Sequence, residues 1–316
     1  VDTETVDTET VDTETVDTDT EPQTVMIGSV ARGGGVYALE FTDGTDTWYF
    51  ACKAEHGGRI TDYELNGVDM LASSAVNASN YGSIFWVSPQ SLWGWPPPAD
   101  MNDNTWTVSV NESAYTVTLS RNNISIGGYN VGISKTFSVD LAEKAVVLSY
   151  TIINQAGSAR SYAPWEVTRV LPDGLSFYPM GTGSVSSGSF SMFPNTNISG
   201  TVWCNHANIS AAGDYKLFSD GADGWLAHTD GSMVFVKKFS PISAAQAASG
   251  EAEIELYGNL TYEEVEMQGA FQSVAAGASY TWGDVYWYLR DMPAGASATA
   301  GDTNLQLRHR PDAVAI

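Results

Sequence analysis

The chain has 316 residues, 43% of them hydrophobic and 16% charged, and a formal net charge of −23. That hydrophobic content supports a sizeable core and excludes a chain that is disordered throughout. The acidic balance excludes nucleic acid as a partner, because phosphate backbones need a basic face, and it disfavours an acidic lipid surface for the same reason.

Residues 1–20 read VDTET three times and then VDTDT, with eight Thr, no aromatic and no positive charge. Such a segment cannot bury enough surface to offset its ordering entropy, so disorder is expected. The five-residue period also puts Val1 and Val11 on one face of an extended chain and Val6 and Val16 on the other, so no apolar stripe forms. Residues 1–24 are set apart as a tail or linker, either a solvated spacer to a cell-surface anchor or a stalk carrying O-glycans on its Thr. The start at Val1 rather than Met is consistent with a removed export signal. No run approaches the ~18 apolar residues of a membrane helix.

From Val25 onward strand signals dominate, and residues 25–316 are expected to form one large antiparallel all-β domain. Trp106, Val108 and Val110 alternate with polar residues, and Tyr115, Val117 and Leu119 do so after the turn Asn111–Ala114, a hairpin signal. Val146–Ile153, Met233–Val236 and Val285–Leu289 read as deeply buried strands. Ala252, Ile254 and Leu256 alternate with Glu251, Glu253 and Glu255, which predicts a strand with one acidic, solvated face. Only Ala244–Ala248 has helical propensity. Asp-Gly and Asn-Gly turn signals recur, among them Asn66-Gly67 and Asp173-Gly174.

Ile84–Pro98 carries three Trp, one Phe and four Pro in fifteen residues. Proline rules out a helix and disfavours an ordinary strand, leaving a rigid loop that displays Trp86, Trp93 and Trp95 beside Gln90. Indole faces suit the apolar faces of sugar rings; an aromatic plug closing the end of a sandwich explains the same residues. Cys52 and Cys204 are the two cysteines. They either form a bridge closing a loop of roughly 150 residues, worth ~4–5 kcal/mol, or are two unrelated buried thiols. Six Asn-x-Ser/Thr sequons matter only if the source glycosylates them. Asp100–Asn104 lacks the Gly and Glu of a calcium loop; Asp214, Asp220 and Asp223 could bind calcium in a loop. No spacing points to a metal or a cofactor.

His56-Gly-Gly-Arg-Ile60 followed by Asn66-Gly67 and Met70-Leu71 resembles the opening of galactose mutarotase-like domains. Adding the Trp/Pro run, Ala163–Arg169 (APWEVTR), Val265–Gly269 (VEMQG) and Trp287–Arg290, the order resembles an uncharacterised bacterial family within that supersandwich superfamily. The resemblance spans about residues 35–293. It implies a β-supersandwich and, by analogy, carbohydrate.

In mutarotases a late-strand carboxylate and a histidine serve as base and acid. By position Glu266 resembles that carboxylate, and His228 is the first candidate for its partner. No histidine sits in the setting that marks a mutarotase acid. Glu263 and Glu264 are expected to be partly solvent-facing. Glu166 and Arg169, three apart, fall on opposite strand faces unless a bulge intervenes. Arg169 could grip a sugar carboxylate or form a structural pair with Glu166, and Arg59 and Arg290 carry the same two readings. Trp86, Gln90, Trp93, Trp95, Trp165, Glu166, Arg169, Glu266 and Arg290 are expected to share one concavity. The sequence thus predicts an exported, surface-tethered carbohydrate-binding protein, with turnover and self-association left open. The competing reading is a surface or fibre subunit without catalysis whose Thr-rich repeat carries glycans.

Overall fold

Strands with period-two burial build the protein. Along Ala145–Asn154, Val146, Leu148, Tyr150 and Ile152 are buried, whereas Val147, Ser149, Thr151 and Ile153 face outward. The computed structural model describes residues 25–28 and 34–308. The acidic repeat, the tail 1–24 and His309 lie outside the described residues.

Two large sheets stack face to face, and nearly all their pairings are antiparallel. The central strands of the first run, in spatial order, Thr47–Lys53, Arg59–Leu65, Ser83–Ser88, Arg160–Val170, Glu263–Gln268, Ile254–Gly258 and Tyr215–Ser219. Those of the second run Thr201–Asn205, Leu175–Pro179, Trp225–Thr229, Met233–Lys238, Ser279–Asp291, Ala145–Asn154, Tyr129–Asp140 and Thr116–Ile126. Helix is confined to short turns, and the helical signal at Ala244–Ala248 becomes a 3-10 turn, Ala244–Gln246.

Aromatic side chains fill the space between the sheets. Phe50 meets Phe137 at 5.1 Å and Trp287 at 6.1 Å between ring centres, and Phe85 stacks on Tyr150 at 4.5 Å. Charged contacts cross the same layer, among them Lys237 Nζ to Glu166 Oε2 at 2.5 Å. Asn66 and Gly67, at φ 53° and 81°, make the tight turn after Arg59–Leu65, which the Asn-Gly signal foretold.

Three sequence expectations need correction. The Trp/Pro run is only half loop: Ser83–Ser88 is a fully buried strand of the first sheet, and the loop begins at Pro89. The acidic face of residues 251–255 is not solvated. Glu253 and Glu255 are buried, and Glu251 is half-buried. Glu263 and Glu264 are likewise buried.

The third correction is the disulfide. Cys52 and Cys204 are both buried free thiols. Cys52 lies near Lys135, whereas Cys204 lies near Glu263, whose strand is four places along the first sheet from that of Cys52. Four strand spacings amount to ~19 Å, well beyond the ~7 Å between Cα atoms that a bridge tolerates. Burial pushes the Cys52 thiol up to about 12. Thiol titration of unfolded, unreduced protein should therefore find two reactive groups and the native protein none. A thiol count of zero after unfolding would restore the bridge.

Candidate functional site

Strand alternation selects which side chains of the first sheet face away from the core. Trp165, Val167 and Arg169 share that outer face, paired with Gln268, Glu266 and Glu264. Glu266 in turn pairs with Glu255, Glu264 with Tyr257, and Tyr257 with Lys216. This outer face is covered by the loop after Ser88, and a cavity of about 390 Å³ lies between loop and strands.

Its aromatic wall is a packed set of indoles. Trp86 meets Trp165 at 5.3 Å, Trp93 at 5.7 Å and Trp95 at 6.2 Å, all nearly edge to face. Trp93 is fixed behind the wall by its Nε1–H, which donates to Val87 O at 2.7 Å. Trp95 stays 62% exposed at the mouth. The His56-Gly57-Gly58 segment sets this wall from behind. All three residues have positive φ, and a Cβ on Gly57 would stand 2.4 Å from Met101 O. That close approach brings in the Ala99–Asn102 turn, whose Asn102 Oδ1 accepts from Trp86 Nε1 at 3.2 Å.

The floor is charged. Lys216 Nζ donates to Glu266 Oε1 at 2.7 Å and reaches Glu255 Oε2 at 2.8 Å. Trp165 Nε1 donates to the other oxygen of Glu266 at 2.9 Å, and Gln268 Nε2 donates to Glu255 Oε1 at 2.7 Å. Burial raises Glu255 to about 7 and Glu266 to about 8, against the opposing pull of Lys216. Burial would lower Lys216, but Glu255 and Glu266 outweigh it and hold the ammonium charged. The floor therefore holds a proton that can sit on either carboxyl near neutral pH. Arg169 Nε donates to Glu264 Oε1 at 2.7 Å, and its guanidinium lies 5.2 Å from the centre of the Trp86 ring. At the rim, Tyr257 donates its hydroxyl to Asp214 at 2.5 Å.

Of the residues singled out by sequence, Trp86, Gln90, Trp95 and Trp165 line the cavity. Trp93 and Arg169 stand directly behind it. Glu266 is wholly buried under Lys216 and Trp165, so it holds the floor without lining the cavity.

Four others lie elsewhere. Glu166 faces the core, where Ser83, Thr168 and Lys237 satisfy its carboxylate. Alternation put it there, opposite Arg169. His228 is also buried between the sheets, with Nδ1 2.9 Å from Ser176 Oγ, and burial lowers it to about 4. Arg59 supports the wall from behind through Tyr81 O at 2.7 Å and Asn102. Arg290 belongs to the second sheet and binds the carbonyls of Glu143 and Lys144.

Sequence reasoning missed Lys216, Glu255, Tyr257 and Tyr262 as cavity residues. The signal was present in Asp214-Tyr-Lys216-Leu-Phe218, where alternation puts Lys216 and Phe218 on one face of a strand. No histidine is among the described residues lining the cavity.

No protein-family model and no curated protein sequence matches the chain. Solved structures do. A Synechocystis protein aligns with a TM-score of 0.55 at 10% identity, over 81% of this chain and 96% of its own. A galactose mutarotase-like protein of Lactobacillus casei aligns at 0.53 and 11% identity, covering 78% and 97%. A putative aldose 1-epimerase of Klebsiella pneumoniae aligns at 0.52 and 11% identity, covering 85% and 82%. At such identity the likeness concerns the fold alone. The chain therefore has the galactose mutarotase-like β-supersandwich fold.

Proposed function

We propose that the cavity between the Gln90–Pro98 loop and the first sheet binds carbohydrate. The observation that carries this reading is the wall of packed indoles above Lys216, Glu255 and Glu264, an apolar surface bordered by a few fixed charges. The indoles suit the apolar face of a sugar ring, and the carboxylates accept from its hydroxyls. The likeness to mutarotase and epimerase structures supports the same class of ligand.

The lining supports binding more strongly than epimerisation. An anomeric epimerase needs an acid and a base on either side of the sugar. Glu255 with Lys216 supplies one exchangeable proton, and no histidine is among the described residues lining the cavity. Turnover at this site would draw on Glu255, with Glu266 holding the charge of Lys216 from below. Export and tethering to a cell surface rest on the composition of the repeat at residues 1–20.

A glycan array probed with residues 25–316 tests the reading. Trp95→Ala should weaken binding by ~1–3 kcal/mol, the usual cost of losing an aromatic contact, without lowering the melting temperature. Trp95 is exposed, so the variant separates binding from folding. An array without signal, or unchanged binding by Trp95→Ala, would refute the site.

A further inference from the structure

The aromatic cavity does not end at its own wall. Two further cavities, of about 440 and 250 Å³, adjoin it along the Tyr215–Ser219 strand. Phe218 and Glu251 line all three, and Phe190 lines the first and second. Lys216 and Phe218 alternate on one strand face, ~7 Å apart, so the floor continues from the charged trio to a second aromatic ring. Phe190, 43% exposed, lines the first and second cavities together with Phe218, and Trp95, 62% exposed, lines the first. In the third cavity Asp220 Oδ1 is buried and has no hydrogen-bond partner among the described residues.

The charge along this path has one sign. Asp214, Asp220, Glu251, Glu253 and Glu264 border it with Glu255, and Lys216 is the one cation among the described lining residues. A chain of uronic acids would meet repulsion along its length, whereas hydroxyl or ammonium groups would find acceptors.

We propose that the three cavities form one cleft that takes a chain of several sugar units, uncharged or carrying amino groups, and that Phe190 and Phe218 form a second stacking platform. This rests on the carbohydrate reading of the first cavity and extends it.

Calorimetric titration tests the proposal with cello-, chito- and chitosan oligomers of one to six units, and with oligogalacturonides as the acidic series. In a neutral or amino series, affinity should rise at least tenfold from the monomer to the tetramer. Ala247→Trp, which fills the third cavity, should remove that rise and leave the monomer's affinity unchanged. Ala244→Trp, at an exposed position of the same cavity, serves if the first variant fails to fold. Monomer and tetramer binding equally well, or oligogalacturonide binding best, would overturn the extended cleft while leaving the single-sugar site standing. If no series binds at all, the carbohydrate reading falls, and the cleft with it.

Discussion

Lys216→Met should lower the unfolding free energy by ~3–5 kcal/mol, the cost of removing one partner from a buried ion pair. Among the described residues Lys216 is the one cation paired with both Glu255 and Glu266, and all three side chains are buried. Without it the carboxyls remain ionisable in a dry floor, and their protons are held more tightly still. The loss should therefore grow with pH. At pH 6 both carboxyls are mostly protonated and Lys216 matters less; by pH 9 they are ionised against Lys216 in the native protein, whereas the variant must either keep their protons against the rising pH or bury unpaired charge. Urea unfolding at the two pH values reads this directly. Adding Glu255→Gln and Glu266→Gln should restore much of the stability at pH 9. A small cost that is the same at both pH values would show that the trio is not electrostatically coupled.

The second large effect concerns Glu263, which lies between the sheets with Ser176 Oγ 2.5 Å from its Oε1 and His228 Nδ1 3.8 Å from its Oε2. Burial raises its carboxyl to about 8, and Ser176 offsets this only in part. Burial lowers His228 to about 4, so at neutral pH neither group is charged. A carboxyl whose folded pKa exceeds its unfolded value lends stability below the unfolded pKa, and that stability is lost as pH rises through the folded one. The window here runs from about 4.5 to about 8. Glu263→Gln keeps the neutral form at every pH. Relative to the native protein it should gain about 1.4 kcal/mol per pH unit across that window. Paired melting curves of variant and native protein, at pH 5 and pH 9, cancel the contributions of other groups. A difference that does not change with pH would refute the buried neutral carboxyl.

Much of the architecture was legible because alternation in strands is a local property. The hairpin at residues 107–120 and the opposed faces of Glu166 and Arg169 follow from period two, and the apolar runs near 233 and 285 are buried as read, whereas the run from 146 alternates and buries only one face. The site was legible only where a local oddity marked it. Tryptophans and prolines crowd Ile84–Pro98, and that run, half strand and half loop, does form a wall. Glu255 failed for the complementary reason. Its alternation with apolar residues was read correctly, but the face it occupies is roofed by the loop after Ser88. No local pattern tells a solvated face from a covered one. Lys216 was invisible for the same reason, since its meaning comes from Glu266, fifty residues further along the chain. The cysteines, 152 residues apart, were the one pairing drawn from arithmetic, and sheet geometry separates them.

The strand order has a bearing on how the cavity comes into being. Ser83–Ser88 lies beside Arg160–Val170, and Tyr215–Ser219 beside Ile254–Gly258, so the wall and the floor are drawn from stretches remote in sequence. Each such pairing closes a long loop before any contact rewards it, which makes these steps slow relative to the hairpins. Wall and floor can meet only after both ends of this range have docked. A ligand that needs Trp86 together with Lys216 would then distinguish finished molecules from partly folded ones, and a nascent chain released before residue 268 would offer it nothing to hold.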